Sequence, residues 1–457
     1  MTLVVAACGS STPTEQSSTG QSSADSSSAD SSAASTGSSA ATESGSGAPS
    51  GDPIKFGVSL PITGGQSIPG IGHQKGYEFC IAELNRTGGL LGRPAELIVK
   101  DSQSNVQNGV NQVQQLISSD KVDFMLGTFS TGSAFPQETI TEQHKMVVVQ
   151  PSDSSEQSHS RGYKYLFGQT PKPVDYLGQT AIDSLKYFQD NGDISAADAP
   201  KTAAVVYQDN FFTQSVQRGI LGGKLEVPGT DITVDFGEGY LAEAGIKVVY
   251  KSSFPSDFND WNSLAASIKA SGADYLMALT MPPLEVNIAK ALATVQYKPK
   301  GVFFTQGTYP QFQESLGAAA DGIILWTSWD PNLTWEGTFN GEKYTNADFI
   351  QHFTETMGEA PDEDAAQAFA SCETLTNGAV ATNSLDQTQI RDWIAARTAD
   401  DPSKTIMGPY HFDEKGLTAD RDVILQQWQG GELKNIYPAD KELIPDLAKV
   451  QWPMPNW

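Results

Sequence analysis

Ile54-Lys55-Phe56-Gly57-Val58-Ser59-Leu60 opens the stretch that decides the fold, and Pro61-Ile62-Thr63-Gly64 follows as a loop. A helical run from about Gly72 to Asn85 comes next, Gly88-Gly89 stops it, and Ala95-Glu96-Leu97-Ile98-Val99-Lys100 makes a second strand. The alternation then repeats along the chain. Val106, Val110, Val113 and Ile117 recur at helical spacing and mark one buried stripe. Further strands are expected at Val122–Leu126, Met146–Gln150, Ala203–Tyr207, Lys247–Tyr250, Tyr275–Leu279, Gly301–Thr305 and Gly322–Trp326. Short apolar runs separated by helices are the signature of a parallel sheet covered on both faces. The fold class is therefore α/β, with two doubly wound lobes. Breaks in the pattern place crossovers near Pro171-Lys172-Pro173, Trp326–Pro331 and Met407-Gly408-Pro409. They assign 53–171 plus 327–407 to lobe I and 172–326 plus 408–457 to lobe II. No repeat of 20–50 residues is visible, which removes solenoids and propellers.

The chain has 457 residues, enough for two or three domains, with 29 Lys and Arg against 54 Asp and Glu. That balance argues against a nucleic-acid binder, which needs a basic surface, and against an electrostatic grip on anionic lipid. No run approaches the roughly 18 apolar residues of a membrane span. Residues 1–52 carry no Lys or Arg and only five acids, Glu15, Asp25, Asp30, Glu43 and Asp52, so the acidity belongs mainly to the folded part.

Met1-Thr2-Leu3-Val4-Val5-Ala6-Ala7-Cys8, followed by Gly9-Ser10-Ser11, looks like the end of a bacterial lipoprotein signal with Cys8 as the lipidated residue. The charged start of such a signal is missing before Leu3, so residues 1–8 read as a truncated signal. The alternative is a chance cysteine in a disordered start. Residues 9–52 form a Ser-rich tether that cannot bury enough apolar area to fold. Its flexible reach is about 35–40 Å. The other cysteines, Cys80 and Cys372, fall on expected helices and read equally as one disulfide or two buried thiols.

Patterned catalytic chemistry is missing. His73, His144, His159, His352 and His411 sit at no metal-ligand spacing, and no nucleophile elbow or P-loop occurs. Gly70-Ile71-Gly72-His73-Gln74-Lys75-Gly76 is one residue too long for a dinucleotide fingerprint and reads as a flexible loop beside a cleft. Asp362 and Asp364 read as solvated acids at a helix start. The protein is expected not to be an enzyme and to hold neither cofactor nor metal.

Two strand ends carry hydroxyl clusters instead: Thr128-Phe129-Ser130-Thr131-Gly132-Ser133 and Ser152-Asp153-Ser154-Ser155. Ligands of open parallel sheets bind at the carboxyl ends of strands, where helix N-termini offer free N–H groups and hydroxyls offer adjustable donors. N-capping is the competing role for each cluster.

The order of segments resembles the periplasmic-binding-protein type I family, specifically the leucine/isoleucine/valine-type receptors of ABC importers. The resemblance runs from about Ile54 to Leu433. It rests on Val58-Ser59-Leu60-Pro61-Ile62-Thr63-Gly64, Ile81-Ala82-Glu83-Leu84-Asn85 with Gly88-Gly89-Leu90-Leu91-Gly92-Arg93, and Asp101-Ser102-Gln103. Arg161-Gly162-Tyr163 and Met407-Gly408-Pro409-Tyr410-His411-Phe412-Asp413-Glu414-Lys415-Gly416 complete it.

The resemblance implies two lobes joined by three crossovers that shut on a ligand. Matched position by position, it puts Ser130, Thr131 and Gly132 on a carboxylate and Ser152 and Ser154 on the second loop of the same lobe. Phe212 falls where amino-acid binders usually have a tyrosine, and Met281 near a second aromatic position. The acid that holds an α-ammonium lands near Gln306 or Gly307, which makes a branched-chain amino acid doubtful. Tyr309 suggests an apolar or aromatic ligand body, Asp153 or Asp209 is the alternative ammonium partner, and Trp329 lies near the cleft with Trp326.

The expected function is an extracytoplasmic solute-binding lipoprotein of an ABC importer, anchored to the outer face of the cytoplasmic membrane. It works as a monomer, captures a small polar-headed ligand (amino-acid-like, amide or aromatic acid) by hinge closure, and delivers it to the permease. A sensory receptor of the same fold and a secreted α/β hydrolase are the alternatives.

Overall fold

The computed structural model describes residues 48–418, 421–438 and 444–455. Cys8, the lipoprotein signal and most of the tether lie outside them.

The first lobe begins β1 Ile54–Leu60, α1 Ser67–Arg86, β2 Ala95–Asp101, α2 Val106–Gln115 and β3 Phe124–Met125. It continues α3 Thr131–Gln143, β4 Val148–Gln150, α4 Glu156–His159 and β5 Leu166–Gly168. The second lobe runs α5 Leu177–Asp190, β6 Thr202–Gln208, α6 Phe211–Leu221, β7 Lys224–Glu226, β8 Thr233–Asp235, α7 Tyr240–Glu243 and β9 Lys247–Phe254. It then has α8 Trp261–Ser271, β10 Tyr275–Leu279, α9 Leu284–Thr294, β11 Gly301–Phe304, α10 Pro310–Leu316 and β12 Ile323–Thr327. The chain returns to the first lobe for the hairpin β13 Glu336–Phe339 and β14 Glu342–Thr345, then α11 Asn346–Met357, α12 Glu363–Thr382 and α13 Gln387–Ala395. A second hairpin, β15 Ser403–Thr405 and β16 Gly408–Tyr410, precedes β17 Ile424–Gln429 and β18 Glu432–Tyr437.

Two parallel sheets organise the lobes. The first has the order β2-β1-β3, with β4 and β5 as a separate parallel pair. The second has the order β18-β17-β12-β11-β10-β6-β9, parallel from β12 to β9, with β17 and β18 antiparallel at one edge. β10 and β11 are buried along their whole length, as expected of strands covered by helices on both faces. The two-lobe α/β fold is thus present.

Several local expectations change. Gly70 to Gly76 lies inside α1 rather than in a loop. Its glycines serve close packing: a Cβ on Gly70 would sit 2.2 Å from the Pro61 carbonyl oxygen, and one on Gly76 2.2 Å from that of Ala365. Gly76→Ala therefore overpacks the contact between α1 and α12 and is expected to cost about 2 kcal/mol, read as a lower urea midpoint. An unchanged midpoint would show that the helices part freely. On α2 the apolar stripe is narrower than its spacing implies, because Val106 is 44 % exposed while Val113 is buried. α2 ends at Gln115 and gives way to a π turn over Leu116–Asp120.

The third passage between lobes comes later than Met407. Met407, Tyr410 and Phe412 belong to the first lobe's core, and Gly168 bridges to Leu417 beside it. The chain joins the second sheet only at β17, around Val423 and Leu425. Cys80 and Cys372 form a disulfide between α1 and α12, which resolves the open pairing. No described helix is long and apolar enough to cross a membrane.

Candidate functional site

A cavity of about 600 Å³ lies between the lobes, at the carboxyl ends of β3, β4, β10, β11 and β12. That is where an open parallel sheet presents loop residues and helix N-termini, and the volume is in the range of small-molecule sites.

The first-lobe wall begins with Ser130, the residue before α3. It has φ 71° and its side chain does not cap the helix, so N-capping does not claim this hydroxyl. The Ser130 hydroxyl donates to Ser133 Oγ at 3.3 Å, and its backbone N–H donates to Ser152 Oγ at 3.3 Å. Ser152 in turn donates to the Thr128 carbonyl at 3.2 Å. These bonds join the two hydroxyl loops, and both Ser130 and Ser152 line the cavity. Thr131 is fully buried beside them and its hydroxyl has no partner. Gly132 lines an adjoining hollow with Ser130, Phe212 and Met281.

The rest of the second cluster turns inward. Asp153 accepts from the Ser155 N–H at 3.0 Å and the Ser158 hydroxyl at 2.7 Å. Ser155 caps α4, and Ser154 contacts Thr170. Asp153 and Ser154 are buried and are not among the residues lining the cavity.

The second-lobe wall carries apolar and aromatic side chains, Phe212 at the start of α6, Met281 after β10, Tyr309 after β11 and Trp326 at the end of β12, with the Gln306 amide among them. Met281 is pinned by its N–H donating to Gln208 Oε1 at 2.9 Å. Trp329 lines the cavity and donates from Nε1 to Asn346 Oδ1 at 2.7 Å. Phe129, from the first-lobe loop, packs in the same core cluster as Phe212 and Met281. Phe135 meets Phe211 across the gap with ring centroids 5.1 Å apart. Asp209 sits elsewhere, exposed and bonded to Gln214.

A third wall escaped the sequence reading. The N-terminus of α12 brings Asp362, Glu363 and Asp364 to the cavity, with Glu359, Asp330, Gln367 and Lys75 beside them. Asp362 caps the helix by accepting from the Ala365 N–H at 2.8 Å. Glu363 accepts from the Ser328 N–H and hydroxyl at 2.7 and 2.8 Å. Burial still lifts the Glu363 pKa above the usual carboxylate range. The Asp364 pKa is raised well above its ordinary value, first by burial and then by repulsion from Asp362 and Glu363. Asp362 is an exposed acid capping its helix, as a charged helix start implies, whereas Asp364 is about three-quarters covered. α12 is buried from Ala365 to Ala379, and this packing carries its exposed first turn to the cavity.

The hinge side is held by buried charge. Asp175 of the second lobe accepts from the Glu156 N–H at 2.8 Å. Glu156 also receives Tyr176 Oη at 3.0 Å and Lys415 Nζ at 2.9 Å. Burial pushes the Asp175 pKa up to about 6, opposed by the nearby Arg218.

Two sheets joined by three passages around such a cavity define a protein that encloses a solute between lobes. The family profile described as periplasmic binding protein matches residues 53–223 and 228–432, and the chain belongs to that family. Its members bind small molecules for ABC transporters outside the cytoplasm and are not enzymes. The chain is 23 % identical over 415 residues to a Leu/Ile/Val-binding protein homolog 7 of Brucella suis, covering 88 % of this chain and 96 % of that one.

Among solved structures, it resembles the branched-chain amino acid transporter substrate binding protein LivJ of Streptococcus pneumoniae, in complex with isoleucine. That match has a TM-score of 0.67 at 17 % identity and covers 85 % of this chain and all of that one. A solute binding protein of an ABC transporter from R. palustris, in complex with benzoate, matches with a TM-score of 0.65 at 17 % identity, over 89 % of this chain and 98 % of that one.

Proposed function

We propose that the protein is the lipid-anchored receptor of an ABC importer, tethered through Cys8 and working as a monomer. It captures a small polar-headed ligand, amino-acid-like, amide or aromatic acid, by closure of the two lobes. The observation that carries this reading is the interlobe cavity, with Ser130 and Ser152 on one side and Phe212, Met281, Tyr309 and Trp326 on the other. Hydroxyls of the first lobe receive the polar head, and the second lobe covers the apolar body. A ligand that touches both walls stabilises the shut state by its differential affinity for it. Branched-chain and benzoate ligands in similar proteins bracket this class, while Gln306 in place of an acid disfavours an ordinary branched-chain amino acid.

A thermal-shift screen over amino acids, amides, aromatic acids and short peptides tests the reading. One class is expected to raise the melting temperature, because binding to the native state alone adds RT ln(1 + [L]/Kd). Phe212→Ala removes a buried aromatic contact and is expected to weaken that ligand at least tenfold, from about 2 kcal/mol of lost burial. A screen with no shift in any class would overturn the proposal.

A further inference from the structure

Resting on the interlobe cavity as the ligand site, we propose that the ligand bears a second polar group, an uncharged carbonyl oxygen of an amide or acyl kind, received on the second-lobe wall by the Trp326 indole N–H and the Tyr309 hydroxyl.

Two donors on that wall are unspent. Trp326 at the end of β12 and Tyr309 just before α10 both line the cavity, and both residues are half-buried. Trp326 Nε1 and Tyr309 Oη are nevertheless shut off from solvent, and neither has a hydrogen-bond partner among the described residues. Buried indole N–H and phenol O–H groups ordinarily find a partner, because a donor stripped of water and left alone is costly. Neighbouring tryptophans show the ordinary case. Trp329 Nε1 donates to Asn346 Oδ1 at 2.7 Å, and Trp428 Nε1 donates to the Gly307 carbonyl at 3.0 Å.

Polar groups beside these two donors are already committed. Thr305 Oγ1 accepts from the Thr280 N–H at 2.8 Å and donates to the Thr280 carbonyl at 3.0 Å. Gln426, on the strand next to β12, donates from Nε2 to Asp330 Oδ2 and to Asn435 Oδ1, each at 2.9 Å. An indole N–H donates and cannot accept, so the ligand atom that meets Trp326 is an acceptor and not a cationic nitrogen. Water is already absent from both donors, so a carbonyl that reaches them displaces none from the protein's side of the bond.

Charge decides between a carbonyl and a second carboxylate. No residue that lines the cavity from the second lobe is charged. The first-lobe side contributes Asp330, Glu359, Asp362, Glu363 and Asp364 against the single ammonium of Lys75. A second anion enters against that excess of like charge, whereas a neutral carbonyl accepts the same hydrogen bonds without it.

Calorimetric titration of the full chain with two triads of matched shape tests this directly. One is 4-acetylbenzoate, 4-isopropylbenzoate and terephthalate, and the other is glutaramate, 5-methylhexanoate and glutarate. Each triad keeps one carboxylate and varies the far end between carbonyl, hydrocarbon and second carboxylate. The carbonyl member of at least one triad is expected to bind about ten times tighter or more than its two counterparts. Trp326→Phe, which keeps an aromatic ring without the N–H, and Tyr309→Phe should each reduce that preference about threefold or more. Affinity for the hydrocarbon member should change less than the preference does. The free Tyr309→Phe protein should melt no lower than the parent, since the hydroxyl it loses bonds nothing there. Tightest binding by the hydrocarbon or the dicarboxylate in both triads, or a preference within twofold of the parent in both variants, would overturn the inference while leaving the solute-binding reading intact. If only another class from the wider screen binds, its tightest member is titrated into the same two variants, and unchanged affinity in both would equally overturn it. No binding by any of the six compounds, together with no shift in the wider screen, would remove both.

Discussion

Replacing Cys80 and Cys372 together by alanine is expected to lower the stability of the first lobe by about 3–5 kcal/mol. The bridge spans 292 residues of sequence, so its removal frees a long loop in the unfolded chain. Both cysteines are fully buried in the first core, where α1 packs on α12 through the close approach of Gly76 to Ala365. The bridge therefore fastens the two helices whose N-terminal ends form the acidic corner of the cavity. Urea unfolding of the variant beside the parent, with and without reductant, measures the effect. Reductant should bring the parent down to the variant. A difference below about 0.5 kcal/mol would mean that core packing alone holds the helices. A bridge at this site also fits the oxidising compartment in which the family works.

Glu285→Met is expected to act in the opposite direction and to raise stability by about 3 kcal/mol at pH 7. Glu285 opens α9, is 0 % exposed, and neither oxygen has a hydrogen-bond partner outside its own residue. Burial pushes its pKa up to about 8, against about 4.3 in an unfolded chain. Unfolding thus releases a proton at neutral pH. The parent is penalised increasingly as pH rises from about 4.5 to 8, and the penalty is level above that. Methionine fills a similar volume without a titrating group, so the gap between variant and parent should widen by about 3 kcal/mol between pH 4.5 and pH 7. A gap that stays flat would show that Glu285 is solvated or paired in the folded protein.

The sheets were the legible part of this molecule. β1, β6 and β10 announce themselves because strands buried on both faces are short and apolar, and the Tyr275–Leu279 expectation coincides with the observed strand. The hairpins β13-β14 and β15-β16 carry weaker patterns: Glu336, Glu342, Lys343 and Lys404 leave one side of each exposed. The Gly70–Gly76 run looked like a loop because glycine disfavours helices locally. Tertiary contact with Pro61 and α12 decides the matter there.

The site was readable where residues cluster in sequence and opaque where the fold assembles it. Ser130, Ser152, Phe212, Met281, Gln306, Tyr309 and Trp329 all line the cavity, each close to a strand end visible in the pattern. Asp153 and Ser154 share the loop of Ser152 but turn into the protein, a choice made by the α4 cap and by Thr170. Asp209 is near Phe212 in sequence and still faces solvent. The acids of α12 reach the cavity only because 219 residues of chain separate α12 from α3 and then bring it back. A charged helix start gives no local sign of such a return.

A structure of the chain grown with its tightest-binding compound tests the central claim most directly. That compound is expected between the lobes, its apolar body against Phe212, Met281 and Tyr309 and its polar head within hydrogen-bond distance of Ser130 or Ser152. A compound bound outside this cavity, or within it with its polar head turned away from Ser130 and Ser152, would contradict that reading.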